Sequence, residues 1–443
     1  MSGIAEVLLN LGFEVSGSDL KSSEITRRLR ALGAVIYESH DSANVRDADV
    51  VVYSSAVSAT NPELVEAKSK AVPTIPRTEM LAELMRLKFA VTVAGSHGKT
   101  TTTSLVSSVL NCGGLDPTVV VGGKLKALGS NARLGDSRYI VAEADESDGK
   151  FIQLPSSIAV ITNIDLEHLD FYPDLESIKD SFVEYASKVP FYGSVVLCVD
   201  DENVVSILPR IRKRKVTYSL GQEADLSGRI IEKKGTRWLF DVRLRGKSLG
   251  RIRGNMPGDH YVRNALAAVA VGIELDLPFA SIKEGIETFE GVGRRFELKG
   301  EVGGITVIDD YGHHPTEIAA TVKAARENFN RRLVVFFQPH RFSRTQALAE
   351  QFGGCFAGAD LLFITDIYAA GEDPIPGVTS DMILEKVKAS GFPKVISVSS
   401  VESLVDEAMA QIEDGDVVLT LGAGDVYRAG ELLLERLEKV AKK

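Results

Sequence analysis

The stretch "VTVAGSHGKTTTTSLVSSVL" (Val91 to Leu110) constrains this chain more than any other. An apolar run of strand type ends in a glycine loop, and the loop opens a helix. Gly95 and Gly98 allow a tight turn that aims backbone N–H groups at phosphate oxygens. Lys99 supplies a point charge for the β- and γ-phosphates, and Thr100, on the first helical turn, carries a hydroxyl that can ligate Mg²⁺. The common phosphate-loop spacing requires an earlier glycine where Val93 stands, so the pattern here is the shorter GxxGKT. A strand, a phosphate loop and a helix in this order fix the fold class as α/β.

The rest of the chain agrees. Short apolar strands alternate with helical stretches throughout, as parallel sheets with crossover helices require. With 443 residues, several domains are expected. The first group holds a helix at Ser2–Leu11, strands at Phe13–Asp19, Val35–Tyr37 and Asp49–Tyr53, and helices at Ile25–Leu32 and Pro62–Lys70. The second starts at the strand Phe89–Ala94 and adds strands at Tyr139–Ala142, Ile158–Thr162 and Ser194–Val199. From Val216 to Arg253 the pattern becomes alternating and glycine-punctuated, which predicts an antiparallel meander. Helices at Tyr261–Glu274 and Phe279–Phe289 follow. The third group carries strands at Ile305–Asp309, Leu333–Phe337, Leu361–Thr365, Val395–Val398 and Val417–Leu421. The net charge of −10 argues against nucleic-acid binding, and no apolar run is long enough for a membrane helix. Three scattered cysteines without CxxC spacing point to free thiols and a cytoplasmic location.

Further motifs sit where strands end. "YIVAEADESD" runs into Glu143, Asp145, Glu146 and Asp148, and a divalent cation would relieve their mutual repulsion. "VITNIDLEHLDFY" places His168 beyond the next strand, where a neutral imidazole can ligate a second metal. "GDHYVRNALAAVAVG" puts His260 and Asn264 one helical turn apart. Arg294 and Arg295 in "GVGRRFE" suit phosphate gripping. "VIDDYGHHPTE" gathers Asp309, Asp310, Tyr311, His313 and His314. "FFQPHRFSRT" supplies His340, Arg341 and Arg344, suited to a carboxylate or phosphate. The basic run "RIRKRK" reads as solvated surface, and "GAGDVY" (Gly422 to Tyr427) is a strand-loop-helix turn with too little pattern to indicate a dinucleotide.

Taken in order, "GSHGKTTTT", "EADESD", "NIDLEH", "PGDHYVRNA", "GVGRRFE", "DDYGHHPTE" and "FQPHRFSR" resemble the motifs of the Mur ligases over essentially the whole chain. The resemblance is strongest to the members that add the first amino acid of the peptidoglycan stem peptide. It implies three domains: an N-terminal Rossmann-like UDP-sugar domain (1–88), a central P-loop ATPase-type α/β domain with the antiparallel insert (89–295), and a C-terminal Rossmann-like domain (296–443). It implies ATP, Mg²⁺, UDP-N-acetylmuramate and L-alanine as ligands, an acyl phosphate intermediate, and a monomer or homodimer. In relatives a first strand and a glycine-rich loop precede the helix that starts like "MSGIAEVL", so the N-terminal Rossmann-like domain is expected to be truncated here.

Carried over by motif, the resemblance assigns Gly95, Ser96, His97, Gly98, Lys99, Thr100, Thr101, His260, Asn264, Arg295, Asp310 and Tyr311 to ATP. Thr100, Glu143 and His168 are implied as metal ligands, with Glu146 a further candidate. Lys99, Glu143, His168, His340, Arg341 and Arg344 are the implied catalytic set. Asp19, His40, Ser54, Ser55 and Arg77 are implied for the UDP-sugar. Val183 stands where several relatives have a carbamylated lysine, so none is expected, and Ser96 replaces the usual threonine. Two other readings are open: a recycling ligase that attaches a whole tripeptide, which usually has Phe-Ala where Tyr311-Gly312 stand, and a non-catalytic ATP-binding homologue. A third reading, a nicotinamide-dependent dehydrogenase, fails, since a lone GxG is too weak a pattern.

Overall fold

The computed structural model describes residues 1–54, 57–86, 88–125, 130–168 and 171–441. The chain divides into two compact units. One comprises residues 1–228, 242–250 and 263–290; the other comprises 229–241, 251–262 and 291–443.

The first unit is organised by the strand Phe89–Ala94. It lies at the centre of a ten-stranded sheet and pairs in parallel with Ile158–Ile161 on one side and Tyr139–Glu143 on the other. Ser194–Cys198 and Lys215–Ser219 continue outward in parallel. Ile158–Ile161 and Ser194–Cys198 are buried throughout, and Phe89–Ala94 is buried but for Phe89, runs rich in Val, Ile, Leu and Ala as a sheet covered on both faces demands. The register brings three strand ends to one edge: the glycine loop after Ala94, the acidic loop after Glu143 and the loop after Ile161. Ligands of open α/β sheets bind at such carboxyl ends.

The outer strands correct the sequence reading. The antiparallel meander does not begin at Val216, because Lys215–Ser219 still pairs in parallel; nor does Leu226–Lys234 enter antiparallel, since it continues from it in parallel at Tyr218↔Leu226. Only Leu226–Lys234, Arg237–Leu244 and Lys247–Gly254 form the hairpins, joined by the two-residue turns Gly235-Thr236 and Arg245-Gly246. Gly235, Arg245 and Gly246 have the positive φ such turns need. The strands Thr118–Leu125 and Ser130–Arg133 were not foreseen: the three valines at 119–121 end at two glycines, and Ser-Asn-Ala-Arg is polar. In the N-terminal segment the first strand is Ser16–Ser18, not Phe13–Asp19, and Phe13 is 60% exposed. It pairs only with Val35–Tyr37, while Val51–Tyr53 pairs only with Thr74–Pro76. Among the described residues no strand joins these two pairs.

The second unit holds a six-stranded sheet. Its order is Glu297–Val302, Ile305–Asp310, Val417–Leu421, Leu333–Phe337, Leu361–Ile364 and Val395–Ser397. The first pair is antiparallel and the rest are parallel. The apolar side chains of both faces, among them Phe336, Phe337, Phe363 and Leu419, are fully buried. Trp238 is buried in this unit with Lys233 4.2 Å above its ring.

Candidate active site

Around the glycine loop, two residues show why glycine is required. Gly95 has φ +128°, and an added Cβ would sit 2.1 Å from Thr162 Oγ1. Gly98 has φ +81°, and its Cβ would sit 2.8 Å from Asn264 Oδ1. The loop after Ile161 grips the glycine loop from below. His97 N donates to Asn163 Oδ1 at 2.8 Å, and Asn163 Nδ2 and Thr162 Oγ1 donate to His97 O at 2.9 and 2.7 Å. His97 Nε2 lies 2.9 Å from Asp165 Oδ2, and Asp165 N donates to Ser96 Oγ at 2.8 Å. Ser96 and His97 are thus held by "NIDLEH", a pairing the sequence did not reveal because it crosses between strand ends.

Lys99 folds back over the loop. Its Nζ donates to Gly95 O (2.7 Å), Ser96 O (3.2 Å) and Glu146 Oε1 (2.8 Å). Burial by itself would lower the ammonium pKa, but Glu146, Asp145 and Glu167 outweigh it and hold it above its ordinary value. Thr100 and Thr101 are buried on the first turn, and Thr100 makes a side-chain hydrogen bond with Glu143. Burial raises the pKa of Glu143 against this bond and that from Gly122 N. Asp145 is held below its usual range despite burial, by Lys99 and by Ser147. Arg77 reaches Asp145 Oδ2 at 3.6 Å, which brings one of the residues foreseen for the UDP-sugar to this edge.

His168 takes a left-handed backbone, φ +55°, unusual for any residue but glycine and a mark of local strain. Its Nε2 lies 3.6 Å from Glu146 Oε1 and 3.9 Å from Glu167 Oε2. Burial opposes its protonation, yet Glu146 and Glu167 raise its pKa. Glu146, Glu167 and His168 each offer one ligand atom, all within 4.8 Å of one another. Buried Glu143 Oε1 and Glu146 Oε2 have no hydrogen-bond partner among the described residues. Two buried carboxylate oxygens left in want of a positive partner, beside a threonine hydroxyl and an imidazole, fit a hard divalent cation such as Mg²⁺. Glu167 is the member the sequence reading left out.

The remaining foreseen UDP-sugar residues lie in the N-terminal segment. His40 Nδ1 is 2.8 Å from Ser18 Oγ and 3.4 Å from Glu63 Oε2, while Asp19 Oδ1 accepts from Lys21 N. Ser54 O accepts from Val57 N, and Ser55 lies outside the described residues.

In the second unit the two arginines of "GVGRRFE" part company. Arg294 is a pin. Its guanidinium meets Asp309 Oδ2 (3.1 Å), donates to Gly424 O (3.1 Å) and Gly422 O (2.6 Å), and lies over the rings of Tyr311 and Tyr427. Arg295 lies over the Tyr311 ring and 3.7 Å from Glu317. Burial lifts the Asp310 carboxyl to about 6, against Arg295 and the N–H groups of Gly312 and Phe296. An alanine at 312 would put its Cβ 2.8 Å from Asp310 Oδ1. His260 belongs to this unit and packs on Gly258.

His340, Arg341 and Arg344 gather beyond the strand Leu333–Phe337. Arg344 approaches His340 Nδ1 at 3.3 Å, and the His313 ring centroid is 5.5 Å from that of His340. Burial, then His313, Arg344 and Arg341, push the His340 pKa down to about 3. Since a guanidinium can only donate, Nδ1 accepts and the neutral ring carries its proton on Nε2. Tyr368, whose ring stacks on His340, and Glu372, which pairs with Arg341, carry no local signal in the sequence.

Family models match nearly the whole chain: the Mur ligase family catalytic domain at 1–89, the Mur ligase middle domain at 93–272, and the Mur ligase glutamate ligase domain at 294–424. A UDP-N-acetylmuramate–L-alanine ligase of Geotalea daltonii is 54% identical over 439 residues, covering 99% of this chain and 96% of that protein. One of Geobacter sulfurreducens is 55% identical over 441 residues with the same coverage. Among solved structures, the UDP-N-acetylmuramate–alanine ligase MurC of Thermotoga maritima superposes with TM-score 0.83 at 29% identity, covering 99% of this chain and 97% of that one.

Proposed function

This chain belongs to the Mur ligase family, and from that membership we propose how its site performs the ligation. The reaction is the ATP-dependent joining of L-alanine to UDP-N-acetylmuramate, a step of peptidoglycan precursor synthesis. The observation that carries the site reading is the convergence of Lys99, Glu143, Glu146 and His168 at the glycine loop, with two buried carboxylate oxygens unsatisfied.

The glycine loop and Lys99 hold the β- and γ-phosphates of ATP, and Thr101 and Asn264 line the same edge. Thr100 and Glu143 would hold one Mg²⁺ and His168 a second, with Glu146 and Glu167 beside them. Such ions would supply positive charge against the γ-phosphate and the lactyl carboxylate of the sugar. Transfer of the phosphoryl group gives an acyl phosphate and ADP. The amine of L-alanine attacks the acyl carbon, the tetrahedral intermediate expels phosphate, and an amide remains. Positioning and electrostatic stabilisation carry such a reaction. Arg341 and Arg344 receive carboxylate charge, and neutral His340 offers its Nε2–H as a donor without adding a cation. From the family resemblance, Arg295, Asp310, Tyr311 and His260 are assigned to ATP, and Arg77, His40, Asp19, Ser54 and Ser55 to the UDP-sugar. The three-domain division (1–88, 89–295, 296–443) fits the extents of the family matches.

No helix among the described residues is long and apolar enough to cross a membrane, and Cys112, Cys198 and Cys355 are unpaired. As the family resemblance implies, we read the chain as a cytoplasmic enzyme, working as a monomer or homodimer. Incubation with ATP, Mg²⁺ and UDP-N-acetylmuramate, with either L-alanine or the stem tripeptide, tests the reading by product mass. The alanine adduct is expected; turnover of the tripeptide alone would sink it.

A further inference from the structure

The loop after the strand Leu361–Ile364 has no part in the chemistry described so far, yet it is fastened to the group that has. Tyr368 N donates to Pro339 O at 2.8 Å, and Arg341 N donates to Tyr368 O at 2.9 Å. This parallel bridge ties Tyr368 to His340 outside any sheet. The two rings stack, with centroids 5.7 Å apart and planes 9° apart. The loop after Val417–Leu421 closes on Tyr368 as well: a Cβ on Gly424 would lie 2.7 Å from Tyr368 Cγ and 2.2 Å from Gln338 Oε1. Tyr368 remains 40% exposed, so core packing does not account for its place.

The residue being held is strained. Arg341 has φ +72°, a left-handed backbone that costs a non-glycine residue about 1–3 kcal/mol and persists only where surroundings enforce it. The bond to Tyr368 O is one such enforcement. Glu372, four residues on, is a second. It accepts from Ser343 N (3.1 Å) and Ser343 Oγ (2.6 Å), and lies 3.7 Å from the Arg341 guanidinium. It thereby secures the N-terminal turn of the helix Phe342–Phe352, which carries Arg344. One short loop therefore fixes the plane of His340, the backbone of Arg341 and the start of the helix bearing Arg344.

We propose that Tyr368 is a positioning residue for the amino-acid substrate, its stacked ring setting His340 and the two arginines for L-alanine, with Glu372 as its anchor. The proposal rests on the reading of His340, Arg341 and Arg344 as the amino-acid site. Misplacement of such groups by about 1 Å lowers their grip on a small substrate severely.

The test compares the full-length enzyme with Tyr368→Leu, which keeps bulk but cannot stack, and Tyr368→Phe, which can. Steady-state constants are measured for all three substrates, with a thermal melt of each variant. The leucine variant should raise KM for L-alanine about tenfold or more, with KM for ATP and UDP-N-acetylmuramate within twofold and the melt unchanged. Phenylalanine should restore the alanine KM. An unchanged alanine KM in the leucine variant, or a parallel rise for all three substrates, overturns the proposal. If the wild-type enzyme itself makes no alanine adduct, the functional reading fails and takes this proposal with it, an outcome the wild-type control shows on its own.

Discussion

Lys99 occupies the place of its own ligand. In this structure the ammonium is spent on two loop carbonyls and Glu146, a residue only 1% exposed. On the proposed reading, phosphates arriving at the loop compete with Glu146 for that charge. Lys99→Ala should lower turnover by about a thousandfold, in line with the loss of one charge that stabilises the transition state. It should also destabilise the fold, because Glu146 is left buried without its partner. Adding Glu146→Gln to Lys99→Ala should recover the melting temperature and leave turnover as low as before. A double variant that regains activity would show that Lys99 serves the fold alone.

At the scale of elements, the decisive fact is which strands are neighbours. Phe89–Ala94 stands between Ile158–Ile161 and Tyr139–Glu143, so three loops distant in sequence share one edge. Gly95 shows how tightly they fit, since a methyl there would collide with Thr162 and meet a positive φ together. Gly95→Ala should cost about 2–4 kcal/mol and abolish ATP binding, read by a melt and by nucleotide titration. The buried strands and the motifs at their ends were legible in sequence because an apolar run followed by glycines or carboxylates is a local signal. What crosses between strands was not. Asp165 on His97, Tyr368 on His340 and Glu372 on Ser343 each join separate loops, and nothing local to either partner announces the pairing. The strand Ser16–Ser18 was misplaced because Ser and Gly carry no apolar period, and Thr118–Leu125 was missed because its apolar run stops after three valines. The two arginines at 294 and 295 looked alike in sequence; only the buried Asp309 and the carbonyls of Gly422 and Gly424 separate the pin from the candidate ligand.

For the whole molecule, the two units need not lose structure together. Arg294→Ala leaves Asp309 buried opposite an empty place and should cost the second unit about 3 kcal/mol, with little effect on the first. The chain contains a single tryptophan, Trp238, buried in that same second unit. It lies on Arg237–Leu244, an outer strand of the ten-stranded sheet, so its emission follows the hairpins at that side of the sheet, while far-ultraviolet circular dichroism sums over all helices and strands. The Arg294→Ala variant should lower the dichroism midpoint by several degrees and shift the fluorescence midpoint less; coincident shifts in both signals would mean the whole chain unfolds as one. The lone indole thus acts as a built-in label for those hairpins, and any melt followed at its wavelength reads their loss first.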